Sequence, residues 1–310
     1  MTEALDARRL AGVLAPVLTP FHEDLAPDGQ RLVRHCRWLL AHGCAGLSPF
    51  GTTSEANSLS VDEREGLLDA ILEGGVPADR LVPGTGCCAL PDTVRLTAGA
   101  VRRGCAGVLA LPPFYYKAVT EDGLFRSFAE VIERVGDVRL RVYLYHIPPV
   151  AQVGIGPKLV ERLLRAYPRT IAGMKDSSGD FANTKTMIDL FAKEGFDVFV
   201  GSERFLLAGL RAGGVGCITA TGNVNAAAID RLYREWRSPE ADELQEALNG
   251  LRGAIEKLPV IPALKAVVAH HAGDPAWLTV RPPLVALAPA QRDVLVADLA
   301  ARRFEMPGLR

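Results

Sequence analysis

The chain has 310 residues, 48% hydrophobic and 23% charged, with a formal net charge of -1. That length suits one large α/β domain or two ordinary ones, and the near-zero charge gives no electrostatic basis for a nucleic acid or anionic membrane partner. No run of about 20 apolar residues is free of charged or turn residues, and the opening MTEALDARRL lacks the basic start and apolar core of a signal peptide, so a cytoplasmic protein is expected.

Short apolar, β-rich runs recur at 13–19, 45–50, 81–84, 107–111, 141–146, 171–175, 198–201 and 215–220. Between them lie amphipathic helical patterns. Leu32, Cys36, Leu39 and Leu40 recur at helical spacing, with Arg31, Arg34 and Arg37 mainly elsewhere around the turn. Ser60-Val-Asp-Glu63 reads as a capping box opening the helix of Leu67, Leu68 and Ile71, and Phe125, Phe128, Val131 and Ile132 form a further apolar face.

Strands alternating with helices favour a parallel sheet, and strands apolar on both faces belong inside one. A doubly wound open sheet is the rival, but no Gly-rich fingerprint follows the first strand. The eight units point instead to an α/β fold, a (β/α)8 TIM barrel. Beyond about residue 222 the pattern is helical, including 244–257, 261–271 and 291–302. The expected division is therefore a barrel over 1–236, with a C-terminal helical extension over 237–310 packed on it. Six cysteines, at 36, 44, 87, 88, 105 and 217, include no Cys-x-x-Cys pair, and most sit among apolar neighbours as core residues do.

In such barrels the chemistry lies at the C-terminal ends of the strands. Four segments place polar groups there. The second strand ends in Pro49-Phe-Gly-Thr-Thr-Ser-Glu-Ala56, whose N–H groups and two hydroxyls could cradle a carboxylate; an ordinary strand-to-helix turn fits the same residues. The fourth ends in Leu111-Pro-Pro-Phe-Tyr-Tyr-Lys117, where loop packing is the plainer reading. The fifth carries Tyr143 and Tyr145 on one side by alternation, and a tyrosine hydroxyl at a strand end can relay protons, though core tyrosines are commoner. The sixth ends in Lys175, just before Asp-Ser-Ser-Gly179. A lysine at a strand end is ordinarily a solvated one; partial burial instead favours the neutral amine that attacks a carbonyl and forms a Schiff base.

Seven motifs in order carry a resemblance over essentially the whole length: Leu18-Thr-Pro-Phe21, Gly51-Thr-Thr-Ser-Glu55, Gly84-Thr-Gly86, Pro113-Phe-Tyr-Tyr116, Tyr145-His-Ile-Pro148, Gly173-Met-Lys-Asp-Ser-Ser-Gly179 and Gly201-Ser-Glu203. The chain resembles the dihydrodipicolinate synthase / N-acetylneuraminate lyase family of class I aldolases. The resemblance implies that Lys175 forms the Schiff base and that Tyr145 shuttles protons beside it. It implies that Thr52 and Thr53 hold the 2-oxo acid carboxylate, Thr53 also joining the relay. Tyr115 matches a tyrosine that reaches into a neighbouring subunit's site, and Gly201 and Ile218 match positions lining the pocket through their backbones. Glu203 and Arg204 fall where sugar-acid lyases of the family contact the substrate chain. Such a site uses no metal and no cofactor; the partners implied are a pyruvate-like 2-oxo acid and further copies of the chain, as a homodimer or homotetramer. The six histidines, at 22, 35, 42, 146, 270 and 271, show no spacing suited to a metal-dependent aldolase, and only His146 is expected near the site.

Four positions depart from the family pattern. Val150 stands where dihydrodipicolinate synthases usually carry an arginine for the second substrate's carboxylate, and an apolar side chain cannot replace a bidentate guanidinium. Ser54 replaces a glycine, His146 an asparagine, and Phe114 the first tyrosine of a pair; Ser54 suggests a slightly reshaped turn. The leading expectation is a lyase performing aldol cleavage or condensation, or a related dehydration, on a 2-oxo sugar acid. 4-Hydroxy-tetrahydrodipicolinate synthase proper, joining pyruvate to aspartate semialdehyde, is the alternative within that chemistry. A non-catalytic 2-oxo acid sensor is the alternative outside it.

Overall fold

Seven of the eight apolar runs form strands in the computed structural model, which describes residues 9–309. These are β1 (Gly12–Ala15), β2 (Gly46–Leu47), β3 (Val108–Ala110), β4 (Val142–His146), β5 (Ile171–Asp176), β6 (Asp197–Val200) and β7 (Gly216–Ile218). Prolines set several limits, because a residue without N–H cannot continue a ladder. Pro16 follows β1, and Ser48-Pro49 follows β2. The run 81–84 contains Pro83 and pairs with its neighbour only through an isolated parallel bridge, Gly84 to Leu109. Its carbonyls are still used: Leu109 N–H donates to Pro83 O at 2.9 Å and Ala106 N–H to Leu81 O at 2.9 Å.

Two compact units make up the chain. The first comprises the described residues up to Gly12 with Pro77–Ile218. In it β3 to β7 lie parallel in the order β7-β6-β5-β4-β3. Leu144, Met174 and Val198 from these strands pack with Phe128, Ile132, Val160, Leu163, Met187 and Ile188 from the covering helices. Each such side chain, fully withdrawn from water, contributes about 1.5–3 kcal/mol. Helix Glu121–Val135 buries Phe128, Val131 and Ile132 as its periodicity predicts, while Phe125 is half-buried beneath the Arg162 guanidinium, 4.6 Å from the ring centroid.

The second unit comprises Val13–Val76 and the described residues from Thr219 onward. β1 pairs in parallel with β2. Helix Gly29–Ala41 begins at Asp28, whose carboxylate accepts Arg31 N–H at 2.8 Å, and buries Leu32, Cys36 and Leu39. The expected capping box is complete: Ser60 Oγ accepts Glu63 N–H at 3.1 Å, and Glu63 Oε2 accepts Ser60 N–H at 2.8 Å. Helix Val61–Glu73 follows, burying Leu67, Leu68 and Ile71. The helical tail contains Ala241–Glu256, Val260–Ala272 and Pro289–Ala301. Among the described residues no helix is long and apolar enough to cross a membrane.

Candidate active site

Alternation along β4 and β5 sorts their side chains. Leu144 and Met174, partners in register, join the core beneath the helices. Their successors Tyr145 and Lys175, also partners in register, therefore face the other side together. Lys175 is 4% exposed and Tyr145 3%. Lys175 Nζ donates to Tyr145 Oη at 3.3 Å and lies 4.4 Å from the Tyr145 ring centroid. A buried amine thus touches a buried phenol where the two strands end.

The polypeptide just after Lys175 is held by its neighbour. Asp176 Oδ2 accepts from Thr184 Oγ1 at 2.7 Å and Asn183 Nδ2 at 2.9 Å, and its Oδ1 accepts Ser178 N–H at 2.9 Å. Three donors fix this buried carboxylate, so the strand end cannot swivel without leaving it and the buried Thr184 hydroxyl unpaired. Close packing constrains β5 as well. A Cβ on Gly173 would lie 2.2 Å from Asp197 O, and one on Gly201 would lie 2.0 Å from Ser177 Oγ and 2.7 Å from Asp176 O. Gly201 N–H donates to Asp176 O at 2.7 Å, which keeps its backbone against the strand bearing the lysine.

His146, at the end of β4, is buried. Its Nδ1 accepts Ile155 N–H at 2.9 Å, so in the neutral ring the proton is on Nε2. Burial lowers its pKa, against the pull of Asp176 in the other direction. Glu203 is buried and Arg204 exposed on the short turn Glu203–Phe205, whose Ser202 cap accepts Arg204 N–H at 3.3 Å. Ile218 is fully buried at the end of β7. Val150, on the turn Pro148–Ala151, is 61% exposed, and Tyr115 is 73% exposed with its ring edge-on to Tyr116. Lys117 ties these two segments together, donating to Ala151 O at 3.0 Å and to Phe114 O.

Tyr143 shares a side of β4 with Tyr145 by alternation but serves a different end. Its hydroxyl donates to Asp197 Oδ2 at 3.5 Å, and Arg9 pairs with the same carboxylate oxygen at 3.0 Å. Burial pushes the Tyr143 phenol up to about 12. The register of β4 against β5 shifts between Val142 and Tyr143.

Thr52 and Thr53 belong to the second unit, half-buried in the turn after β2. Ser54 N–H donates to Gly51 O at 3.1 Å, Glu55 N–H to Thr52 O at 3.1 Å and Ala56 N–H to Gly51 O at 3.2 Å. Left-handed backbone occurs at Phe50 (φ 63°) and Glu55 (φ 56°), and not at Ser54. Ser54 is buried and its carbonyl accepts Thr19 Oγ1 at 2.7 Å.

Two features of this neighbourhood went unassigned from sequence: the clamp on Asp176 and the Lys117 tie. The first has a local signal, a carboxylate immediately after the lysine followed by Ser-Ser. The second depends on two loops meeting and has none.

A parallel α/β framework thus carries a buried lysine–tyrosine pair at the ends of two adjacent strands, and comparison with known proteins gives the family of the chain. The dihydrodipicolinate synthetase family model matches residues 9–302. An uncharacterised DapA-like lyase of Chloroflexus aurantiacus is 33% identical over 83% of this chain and 85% of its own length. Dihydrodipicolinate synthase from Agrobacterium tumefaciens has a structure with TM-score 0.84 and 33% identity, covering 94% of this chain and 98% of its own. A prophage protein of the dihydrodipicolinic acid synthase family from E. coli K12, solved in complex with pyruvate, gives TM-score 0.87 at 25% identity, over 95% of this chain and 99% of its own. The chain belongs to the dihydrodipicolinate synthetase family, a family of lyases, and has its α/β (β/α)8 barrel fold with a C-terminal helical extension.

Proposed function

We propose that this protein is a class I lyase that forms a Schiff base between Lys175 and pyruvate or another 2-oxo acid. The observation that supports this most is the buried contact between Lys175 Nζ and Tyr145 Oη. In the proposed reaction Nζ adds to the ketone carbon and the ketone oxygen leaves as water. The resulting protonated imine stabilises negative charge at the adjacent carbon, where a proton is lost or a carbon–carbon bond is broken or formed. Tyr145 moves protons to and from the departing oxygen at hydrogen-bond range. Thr52 and Thr53 hold the carboxylate and Thr53 extends the relay, roles carried by the resemblance. Gly201 and Ile218 line the pocket through their backbones. The pyruvate complex of the E. coli relative supports a small 2-oxo acid as ligand.

For the second substrate we favour a 2-oxo sugar acid or its aldehyde fragment over aspartate semialdehyde. Val150 offers no guanidinium to a second carboxylate. Glu203 and Arg204 are the proposed contacts to the distal chain. 4-Hydroxy-tetrahydrodipicolinate synthase activity is the second reading, supported by the Agrobacterium relative's name. Tyr115, strongly exposed, is proposed to enter a neighbouring copy's site, which requires at least a homodimer.

Borohydride reduction in the presence of pyruvate, followed by peptide mass analysis, tests the chemistry. An adduct on Lys175, lost in Lys175→Ala, is the expected result; no adduct in the wild type refutes the lyase reading and leaves a sensor. A panel of 2-oxo acids and aldehydes, read as pyruvate consumed or released, then distinguishes the two substrate readings.

A further inference from the structure

Helix Val260–Ala272 contains a lysine that its sequence hides. Lys265 is flanked by Leu264, Ala266 and Val267, and like them it is buried, with no exposed side-chain surface. Its Nζ forms an ion pair with Glu55 Oε1, donates to Thr279 O at 2.8 Å and lies 4.5 Å from the Phe21 ring centroid. The Glu55 side chain is equally buried, and its Oε2 accepts Arg281 N–H at 3.1 Å. Arg281 continues the network: it donates to Glu63 Oε2 at 2.8 Å, to Ser58 O at 2.5 Å and to Leu25 O at 2.9 Å, and its guanidinium carbon lies 4.8 Å from the Phe21 ring centroid. Both pair members and Arg281 lie in the same unit.

A buried ion pair is a poor device for stability, since desolvating two charges largely cancels their attraction, and apolar replacements of similar volume are often as stable. What it supplies is a fixed direction. Glu55 closes the turn Gly51-Thr-Thr-Ser-Glu55 and adopts a left-handed backbone (φ 56°, ψ 34°) that a residue with a Cβ takes only under constraint. The carboxylate that holds it there is anchored from a distant helix. The Glu55 N–H donates to Thr52 O, so the anchored residue is bonded directly to the threonine pair.

We infer that the Lys265–Glu55 ion pair is a positioning device for the Thr52-Thr53 turn, setting its N–H groups and hydroxyls to receive the carboxylate of a 2-oxo acid. This rests on the Schiff-base reading above. Arg281, itself paired with Glu63, braces the same turn through its N–H on Glu55 Oε2. Lys265 and Glu55 are positioning residues in this inference, acting through Thr52 and Thr53.

The test compares pyruvate with hydroxyacetone, which has a ketone but no carboxylate, in borohydride trapping on Lys175. In the doubly neutral variant Lys265→Met/Glu55→Gln, both charges go and Gln can still accept Arg281 N–H. The concentration of pyruvate giving half-maximal trapping rises about tenfold or more, the order lost when a charged ligand's receiving groups are misplaced. The half-maximal concentration of hydroxyacetone stays within about twofold, as does trapping at saturation. An unchanged pyruvate value, or an equal shift for both ketones, overturns the inference. If the double variant does not fold by circular dichroism, the same comparison in Glu55→Gln alone decides it. Wild-type protein that traps neither ketone refutes the Schiff-base reading itself, an outcome separate from both.

Discussion

Asp197 opens β6 with its side chain largely buried, beside Tyr143 and Arg9. Two effects oppose each other there. Burial raises the carboxyl, while Arg9 and the Tyr143 hydroxyl lower it; burial prevails and the pKa stands at about 6 against an ordinary 3.8. The folded protein therefore holds this proton more tightly than the unfolded chain. Its contribution to stability is whole below about pH 3.8 and is lost as pH rises to about 6, then stays constant. At about 1.4 kcal/mol per pH unit the loss amounts to about 3 kcal/mol across that window. Asp197→Asn keeps an acceptor for Tyr143 and does not titrate. Urea unfolding of both proteins from pH 4 to pH 7 should show the variant gaining on the wild type by about that amount, most of it below pH 6. A pH-independent difference would refute the dominance of burial. A difference of opposite sign would show that the Arg9 pair governs this carboxyl instead.

Three further outcomes follow from the geometry. Tyr145→Phe removes the hydroxyl that Lys175 contacts, and should slow pyruvate trapping by about 10²–10⁴-fold while leaving the melting temperature nearly unchanged. Gly201→Ala places a methyl 2.7 Å from Asp176 O, so the β5–β6 contact must open; a loss of about 1–3 kcal/mol in urea unfolding together with slower trapping is expected. Ser60→Ala removes one half of the capping box, at a cost of about 1 kcal/mol by the same unfolding assay, with trapping unaffected.

Much of this protein could be read from its sequence because the signals are local. Strand and helix periods need only a dozen residues, which is why the run 171–175 and the box Ser60–Glu63 appear where expected. Lys175 and Tyr145 were legible for the same reason: each ends an apolar run in a recognisable motif, and strand order brings them into register. The third apolar run falls short of a strand because Pro83 withholds a donor, a local rule applied to a segment whose apolar content outweighed it. Ser54 illustrates a subtler limit. Its replacement of glycine suggested a slightly reshaped turn but not where the backbone reverses: the left-handed residues are Phe50 and Glu55, set by the turn's hydrogen bonds.

Tertiary structure alone decided the rest. Tyr143 and Tyr145 are alike in sequence and share a side of β4, but one meets Asp197 and the other Lys175, because position along the strand selects different partners. Lys265 would pass for a solvated residue of an amphipathic helix until that helix is packed on all sides and Glu55 arrives to pair with it. Periodicity reports how a segment meets water, whereas an ion pair between distant segments depends on which elements the fold brings together. The amino-acid sequence thus determined the alternating framework and the strand-end lysine it presents. Packing determined which charges are buried and which distant segments they join.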